Sequence, residues 1–285
     1  MKKEATLKDI AKVLNVSPAT VSRALHDDYQ ISKSTKEKVL ALAKEMDYAP
    51  NPIALGLLHK KTHIVGVIIP DIAYHFNSSA ISGIENVLNA AGYSVIVCQS
   101  KEDFRKEAVH LKNLMLGRTD GTIISIAHNT KDFQHFSTSI QKGYPLVFLD
   151  RAPPMEGISS VTIDNVEATK QATTYLIGLG CRNIAYVAGP EGLEIGKKRY
   201  EGYLKAHREA GIKIHENYLV HCKFDHSMGK NAVTKLLLKK PKPDAILTIN
   251  DRIAIGTMAA IRAWLLHFYP LNDQICNEPD SFHVF

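Results

Sequence analysis

Two helix starts, separated only by a short break at Asn15, restrict the fold of the first sixty residues more than any other feature of the chain. Thr6 and Asp9 have the spacing of a capping box, and apolar residues follow at helical intervals. Ser17 and Pro18 form a second start, with Ser as the cap and Pro at the first helical position. We predict a second helix over about residues 18–25 and a third over about 32–46, which together describe a helix-turn-helix.

The second helix has the size of a DNA major-groove reader. It is predicted to bury Val21, Ala24 and Leu25. Its other face offers small residues and Arg23, which would reach a guanine or a phosphate, while hydroxyls donate to phosphates. An ordinary three-helix bundle with no role on DNA is the alternative. The candidate DNA contacts in this head are Thr6, Ser17, Pro18, Ala19, Thr20, Ser22 and Arg23.

The charge distribution favours an anionic partner for the head. The whole chain has a formal net charge of +6 at pH 7, and residues 1–61 contain 11 Lys and Arg against 7 Asp and Glu. A small basic module joined to a nearly neutral body explains this asymmetry, although an excess of Lys can also be a solvated face.

Residues 50–61 form a linker with an unusual apolar content. Two prolines open it, and Leu55, Leu57 and Leu58 need somewhere to pack. They would pack on a partner chain, insert into a DNA minor groove, or cover the neighbouring domain.

From residue 62 the sequence alternates apolar strands with amphipathic helices, which predicts parallel sheets covered by helices on both faces. Two such sets indicate two subdomains. Strands are expected over about 63–70, 93–98, 121–126, 145–149, 160–163, 183–187 and 244–249, and helices over about 78–91, 102–116, 132–142, 165–179, 196–210, 227–239 and 252–263.

No motif of nucleotide binding, hydrolysis or zinc binding is present, and neither the cysteines nor the histidines have metal-ligand spacing. We therefore expect no enzyme activity, metal or cofactor. Polar residues instead collect after the strands, at Asp71, Asp150–Arg151, Asp164–Asn165, Gly189–Pro190 and Asn250–Asp251. Ligands bind at this end of parallel strands, and these groups suit a hydroxyl-rich ligand. The alternative is that some of them only cap helices, Asp164 and Asn165 above all.

The run of residues 6–57 resembles, without a gap, the DNA-binding head and hinge of the lactose-repressor/galactose-repressor (LacI/GalR) family of bacterial regulators. The resemblance implies a homodimer that reads a palindromic double-stranded operator. It also implies that the hinge inserts Leu57 into a minor-groove step and places Ala54 against the groove floor. Leu55 departs from the polar residue common at its position, which changes the contacts available at the operator centre.

The body resembles the effector domain of the same family, built like a periplasmic sugar-binding protein. The matching segments are VGVIIPDI at 65–72, FLDR at 148–151, IDN at 163–165, GP at 189–190, RYEGY at 199–203, KFDHSMG at 223–229 and ND at 250–251. By this resemblance the ligand, a sugar or nucleobase, would be bound by Phe76, Asn77, Asp150, Arg199, Phe224 and Asn250.

The expected fold is therefore an all-α helix-turn-helix head with an α/β body of two parallel-sheet subdomains. The expected boundaries are 1–49 for the head, 50–61 for the hinge, 62–263 for the body and 264–285 for an atypical tail without Lys or Arg. The family pattern is lost near Ala263, so we expect the second subdomain to lack a strand and to leave a sheet edge uncovered.

The predicted function is that of a cytoplasmic repressor controlled by a small ligand, with no membrane segment or signal peptide. Three alternatives remain. The chain is a defective family member that binds DNA without responding to ligand, a solute-binding protein, or an enzyme on the same scaffold.

Overall fold

A computed structural model describes residues 5–48, 61–191, 193–222, 226–268 and 283–284. The chain divides into two compact units, Met1–His63 and Ile64–Phe285. The first is called the head below and the second the body, and each is described separately.

The described part of the head contains three short helices with side-chain caps. They are α1 (Leu7–Leu14), α2 (Pro18–Leu25) and α3 (Lys33–Glu45). Thr6 and Asp9 form the predicted capping box, Ser17 caps α2 with Pro18 in its first turn, and Ser32 caps α3. One shared core closes the bundle, and its fully buried members are Ile10, Ala11, Val21, Ala24, Val39 and Ala43. The predicted helix-turn-helix is therefore present.

The first lobe of the body is a five-stranded parallel sheet with the order β2-β1-β3-β4-β5. Its strands are β1 (Ile64–Ile69), β2 (Ser94–Gln99), β3 (Gly121–Ile124), β4 (Leu146–Leu149) and β5 (Ser159–Val161). Three helices connect them: α4 (His75–Ala90), α5 (Phe104–Leu116) and α6 (Gln134–Gln141). Helix α4 packs on one face through Ile81, and α5 and α6 pack on the other through Leu111 and Phe136. Successive apolar residues of β1 point to opposite faces of the sheet: Val67 and Ile69 pack with α4, and Ile68 packs with α5 and α6. The sequence predicts this sheet with helices on both faces.

The second lobe repeats this plan with the order β7-β6-β8-β9, again parallel. Its elements are α7 (Asn165–Gly178), β6 (Ile184–Ala188), α8 (Glu194–Glu209), β7 (Leu219–His221), α9 (His226–Leu237), β8 (Ala245–Thr248), α10 (Asp251–Phe268) and β9 (His283–Val284). Alternate residues of β6 belong to two cores, one with α7 and α8 and one with α9 and α10. The predicted two-subdomain body is confirmed.

Two expectations about the end of the chain differ from the structure. Helix α10 continues to Phe268 instead of ending near Ala263, because Trp264 still packs on the core and Lys242 Nζ lies 4.6 Å from its ring centroid. The edge of β8 is also not bare, since His283 and Val284 pair with Ala245 and Ile246. An open strand edge offers unpaired N–H and C=O groups, and an extended segment can occupy it without a strong strand pattern. None of the described helices is long and apolar enough to cross a membrane.

The start of α4 also differs from its prediction. The helix begins at His75, three residues before the expected start, so Phe76 and Asn77 lie in its first turn. Tyr74 precedes it in an extended conformation and makes no side-chain cap. Only residues 70–74 therefore separate the carboxyl end of β1 from the first turn of α4.

Candidate functional site

The exposed surface of α2 contains most of the predicted DNA contacts of the head. Pro18, Ala19 and Arg23 are exposed, while Thr20 and Ser22 are half-buried. The Ser17 hydroxyl oxygen accepts a hydrogen bond from the Thr20 N–H at 3.0 Å and lies 2.9 Å from the Thr20 hydroxyl. These two hydroxyls are therefore held at the N-terminus of α2, where backbone N–H groups favour an anion.

Arg23 is the one cation on the predicted reading face of α2. Its side chain is 57% exposed, its guanidinium donates to Gln30 Oε1 at 3.2 Å, and its Nε lies 4.0 Å from Asp28 Oδ2. Weak partners of this kind leave the guanidinium able to exchange them for a base or a phosphate.

Thr6 has a local task in the structure. Its hydroxyl donates to Asp9 Oδ2 at 2.6 Å and its N–H donates to the same oxygen at 2.9 Å. The single hydroxyl proton is thus used inside the capping box, which orients the start of α1. Ala54 and Leu57, the predicted hinge contacts, lie outside the described residues.

One cavity of about 500 Å³ opens in the body between the two sheets. Five of the six predicted ligand contacts line it: Phe76, Asn77, Asp150, Arg199 and Asn250. They come from α4, the ends of β4 and β8, and α8, so residues far apart in sequence meet at the carboxyl ends of the strands. The sixth, Phe224, lies outside the described residues.

Asp150 directly follows β4 and adopts a left-handed backbone conformation with φ of 60°. Burial raises the pKa of its carboxyl, while the positive charges of Arg151 and Arg199 act in the opposite direction. A half-buried carboxyl near two guanidinium groups can accept hydrogen bonds from ligand hydroxyls in fixed directions.

Arg199 reaches the cavity from α8 and has neutral partners. Its Nε donates to Asn165 Oδ1 at 2.8 Å, and its Nη1 donates to the backbone carbonyl of Ile249. Burial lowers its pKa, with Asp150 opposing that shift. Asn165 thus holds Arg199 and is not the cap that the sequence suggested. Asp164 is that cap, since its carboxylate accepts from the Glu167 N–H at 2.9 Å.

The other three predicted contacts differ in how much of each side chain is left for a ligand. Asn250 Oδ1 accepts from the Ile253 N–H at 3.0 Å and so caps α10. Asn77 is 5% exposed, and its amide donates to the Asp71 carbonyl at 2.8 Å. Phe76 is 53% exposed and offers an aromatic face.

The cavity wall also contains residues that the sequence did not identify, among them Tyr74, Ser125 and Arg252. Ser125 follows β3 directly and is 2% exposed, and its hydroxyl has no hydrogen-bond partner among the described residues. Its place after an apolar strand was the available signal. Arg252 comes just after the polar pair Asn250–Asp251, where the sequence reasoning stopped.

The described residues contain no group of three or more His, Cys, Asp or Glu arranged to hold a metal ion. Cys98, Cys181 and Cys222 are free thiols. Burial raises the pKa of all three, that of Cys222 to about 11, so they are packed thiols rather than nucleophiles.

Comparison with known families matches two models to this chain. Residues 6–51 match "Bacterial regulatory proteins, lacI family", and residues 62–265 match "Periplasmic binding proteins and sugar binding domain of LacI family". These two ranges contain the three helices of the head and the residues that line the cavity.

Individual proteins agree with the family models. The chain is 36% identical to catabolite control protein A of Priestia megaterium over 89% of this chain and 76% of that protein. It is 33% identical to the ribose operon repressor of Escherichia coli (strain K12) over 90% of this chain and 78% of the repressor. A solved lac repressor dimer bound to operator and the anti-inducer ONPF superposes with a TM-score of 0.79 at 28% identity, covering 92% of this chain and 78% of that one.

Proposed function

The chain belongs to the LacI family of bacterial regulatory proteins and is a DNA-binding transcription regulator controlled by a ligand, and from that premise we propose how its residues divide the work. Two copies of the head bind the two halves of a palindromic operator as a homodimer. The cavity of the body binds a small sugar-like effector. Ligand binding changes the affinity for operator, and the regulator represses transcription from the cytoplasm.

Helix α2 is the proposed reading element. Its exposed residues are small, so the backbone can approach the base edges, and Arg23 is the cation that can reach them. Ser17 and Thr20 hydroxyls and the first N–H groups of α2 would contact phosphates, with Ser22 beside them. Leu57 and Ala54 are proposed for the central minor-groove step.

The proposal for the body depends on one observation. Polar side chains from both lobes converge on a single cavity, with Asp150 as an acceptor, Arg199 as a donor and Ser125 as a buried hydroxyl that has no partner among the described residues. A buried hydroxyl without a partner costs free energy that a ligand oxygen would recover. Phe76 would cover one face of a sugar ring, while Asn77, Asn250 and Phe224 complete the set.

The proposed coupling is a difference in affinity between two states of the body. A ligand that contacts both lobes favours the closed arrangement, and such couplings are typically about 1–3 kcal/mol. Operator affinity should also fall steeply with salt, because cations of the head release counterions from phosphates. The relatives named above are regulators, and we propose no catalytic step.

The DNA arm of the proposal is tested with Arg23→Ala and Arg23→Lys by fluorescence anisotropy on operator and on random duplex. If Arg23 reads a base, Arg23→Ala should weaken specific binding by about 1–3 kcal/mol and leave random DNA less affected. Equal losses on both duplexes would make Arg23 a phosphate contact. No difference on either duplex would contradict the proposed contact of Arg23 with DNA.

The ligand arm is tested with Ser125→Ala, using Thr257→Val as its matched control. Thr257 also has a buried hydroxyl without a partner among the described residues, but it does not line the cavity. Calorimetry with a sugar panel should show weaker binding in Ser125→Ala by about 1 kcal/mol or more, and unchanged binding in Thr257→Val. If the best ligand of the panel leaves operator affinity unchanged, the proposed control by ligand is wrong.

A further inference from the structure

The cavity has a cationic corner that the proposed sugar contacts do not explain. Arg252 occupies the first turn of α10, and its guanidinium carbon lies 4.8 Å from the centroid of the Tyr74 ring. Tyr74 immediately precedes α4, and both residues line the cavity. Arg252 from the second lobe and the start of α4 from the first lobe therefore meet at one corner of the cavity.

Arg151, which also lines the cavity, has a carboxylate partner, whereas Arg252 has none among the described residues. The Arg151 guanidinium donates to both carboxylate oxygens of Glu102, at 3.0 and 2.9 Å. No carboxylate lies within ion-pair distance of Arg252 in the described part of the chain, and Asp71, the acid whose charge it feels, is already bridged to Lys101 at 3.1 Å. Arg252 instead faces an aromatic ring, a contact that leaves its N–H donors for another partner.

The start of α4 adds a second source of positive potential at the same corner. This sixteen-residue helix has no acidic residue in its first turn and no side-chain cap. Its first free N–H groups belong to His75, Phe76 and Asn77, all three of which line the cavity. Backbone donors at a helix N-terminus favour an anionic group.

Ser125 supplies an independent sign that this part of the cavity takes a hydrogen-bond acceptor. Its N–H donates to the Ile68 carbonyl at 2.9 Å, which places it beside the end of β1, and Pro70, which follows that strand, lines the same cavity. Its hydroxyl is buried and lacks a partner among the described residues. A ligand oxygen would satisfy it, whereas a ligand amine or apolar group would not do so equally well.

We infer that the effector is a hydroxylated small molecule with an anionic oxygen group, a phosphate ester or a carboxylate, bound between Arg252 and the N-terminus of α4. Its hydroxyls lie toward Asp150 and Arg199, and Ser125 donates to one of its oxygens. This inference rests on the proposed function, since it assumes that the cavity is the effector site.

The test uses the full chain and isothermal calorimetry with matched probes. These are glucose and ribose, their terminal phosphate monoesters, gluconate, and inorganic phosphate alone. At least one anionic sugar should bind about tenfold or more tightly than its neutral parent, as expected for an added charge-assisted contact. Inorganic phosphate should bind more weakly than the preferred ester because it lacks the hydroxyls. The ester and gluconate arms distinguish a phosphate from a carboxylate.

Arg252→Gln should abolish the preference for the anionic probe, lowering its affinity about tenfold while changing that of the neutral parent by less than about twofold. Lys242→Gln is the matched control. It removes one positive charge and one cation–aromatic contact from the same lobe, but Lys242 does not line the cavity. The preference should persist in this control.

Two results would overturn the inference and leave the proposed function standing. The first is a neutral sugar that binds as tightly as its anionic derivative and alters operator affinity. The second is a preference for the anionic probe that survives in Arg252→Gln. If no sugar of the panel, neutral or anionic, binds or changes operator affinity, the proposed ligand control fails together with this inference.

Discussion

The two lobes of the body hold their sides of the cavity by different physical means. In the first lobe, a fully buried carboxylate organises the segment after β3. Glu107 accepts hydrogen bonds from the Ala127 N–H at 2.6 Å, from the Thr130 hydroxyl at 3.0 Å and from His135 Nε2 at 3.0 Å. Glu107 is itself 0% exposed, so these bonds replace the water that its charge has lost.

A second carboxylate completes this arrangement. Glu102 accepts from the His128 N–H at 2.8 Å and from the Arg151 guanidinium. Together with Glu107 it fixes the backbone just beyond Ser125 and orients Arg151 beside Asp150. The first lobe therefore positions its cavity groups through charge and directed hydrogen bonds.

The second lobe uses close packing instead. The rings of Tyr186, Tyr200 and Tyr203 stack with centroid separations of 5.2 to 5.8 Å. Two of these tyrosines lie on α8. This helix crosses α7 so closely at Gly202 that a Cβ there would lie 2.2 Å from the Val166 carbonyl oxygen. Arg199 is one turn earlier on α8, so its position depends on this contact. A change of volume at Gly202 should therefore disturb the second lobe, and a change of charge at Glu107 the first.

The sharpest test of the packing side is Gly202→Ala. The added methyl group meets backbone atoms of α7, which cannot move aside as a flexible side chain would. We expect a loss of about 3 kcal/mol or more in the free energy of unfolding, at the upper end of the range for overpacking. Urea denaturation followed by circular dichroism measures it. Ligand binding should weaken as well, because α8 holds Arg199.

Gly83→Ala is the matched control in the first lobe. Gly83 lies inside α4, and a Cβ there would have no described atom within 4 Å apart from the neighbouring backbone of its own helix. This change should be neutral or should stabilise the chain by up to about 1 kcal/mol, through helix propensity. Equal destabilisation by both changes would show that helix packing is no more demanding in the second lobe than in the first.

Glu107→Gln tests the charge side. The shape is kept, but one carboxylate oxygen becomes an amide NH₂ group that faces donors, so at least one of the three hydrogen bonds must be lost or reversed. We expect a cost of about 1–3 kcal/mol in unfolding free energy. Glu209→Gln is the control, because Glu209 is half exposed in its pair with Lys170 at 2.9 Å, and it should cost less than about 1 kcal/mol. Similar costs for the two variants would contradict a special role for the buried carboxylate.

Local features of the head and of the body could be predicted from sequence, because the groups concerned are near neighbours in the chain. The caps at Thr6, Ser17 and Asp164 each join residues three positions apart. Strand ends followed by polar residues also located Asp150 and Asn250 at the cavity. The alternation of strands and helices then predicts which edge of the sheet these residues share.

Features that depend on distant neighbours could not be predicted in this way. Whether the Ser125 hydroxyl has a partner is decided by residues on other strands, and the contact of Arg252 with Tyr74 joins the two lobes. Asn165 shows the same limit, since its local pattern indicates a cap but Arg199 takes its side chain. The pairing of His283 and Val284 with β8 follows from an open edge, not from a pattern in the tail.

The second lobe, although held mainly by packing, also buries one titratable side chain, that of His207. His207 is 1% exposed, lies one turn after Tyr203, and its Nδ1 is 2.9 Å from the Tyr203 carbonyl oxygen. Burial lowers its pKa, and that hydrogen bond only partly opposes the shift. In the unfolded chain its pKa is about 6.5, so the unfolded state binds the proton first as the pH falls. Stability should therefore decrease below about pH 6.5, with a slope of at most about 1.4 kcal/mol per pH unit.

His207→Gln removes the imidazole that takes up this proton. Unfolding free energies of the wild type and the variant, measured from pH 8 to pH 5, should differ most at pH 8 and converge toward pH 5. A constant difference across this range would mean that His207 has the same affinity for protons in the folded and unfolded chain.

The smallest expected effects come from the tyrosine stack, where one substitution has opposite consequences at two positions. Tyr203→Phe removes a hydroxyl that donates to the Ile184 carbonyl at 2.8 Å, and should cost about 1 kcal/mol. Tyr186→Phe removes a buried hydroxyl without a partner among the described residues, and should be neutral or stabilising by up to about 1 kcal/mol. The stacked rings are unchanged in both, so thermal unfolding reports the hydroxyls alone. An equal loss for Tyr186→Phe would show that its hydroxyl is hydrogen-bonded in solution and that the second lobe, like the first, depends on buried polar contacts.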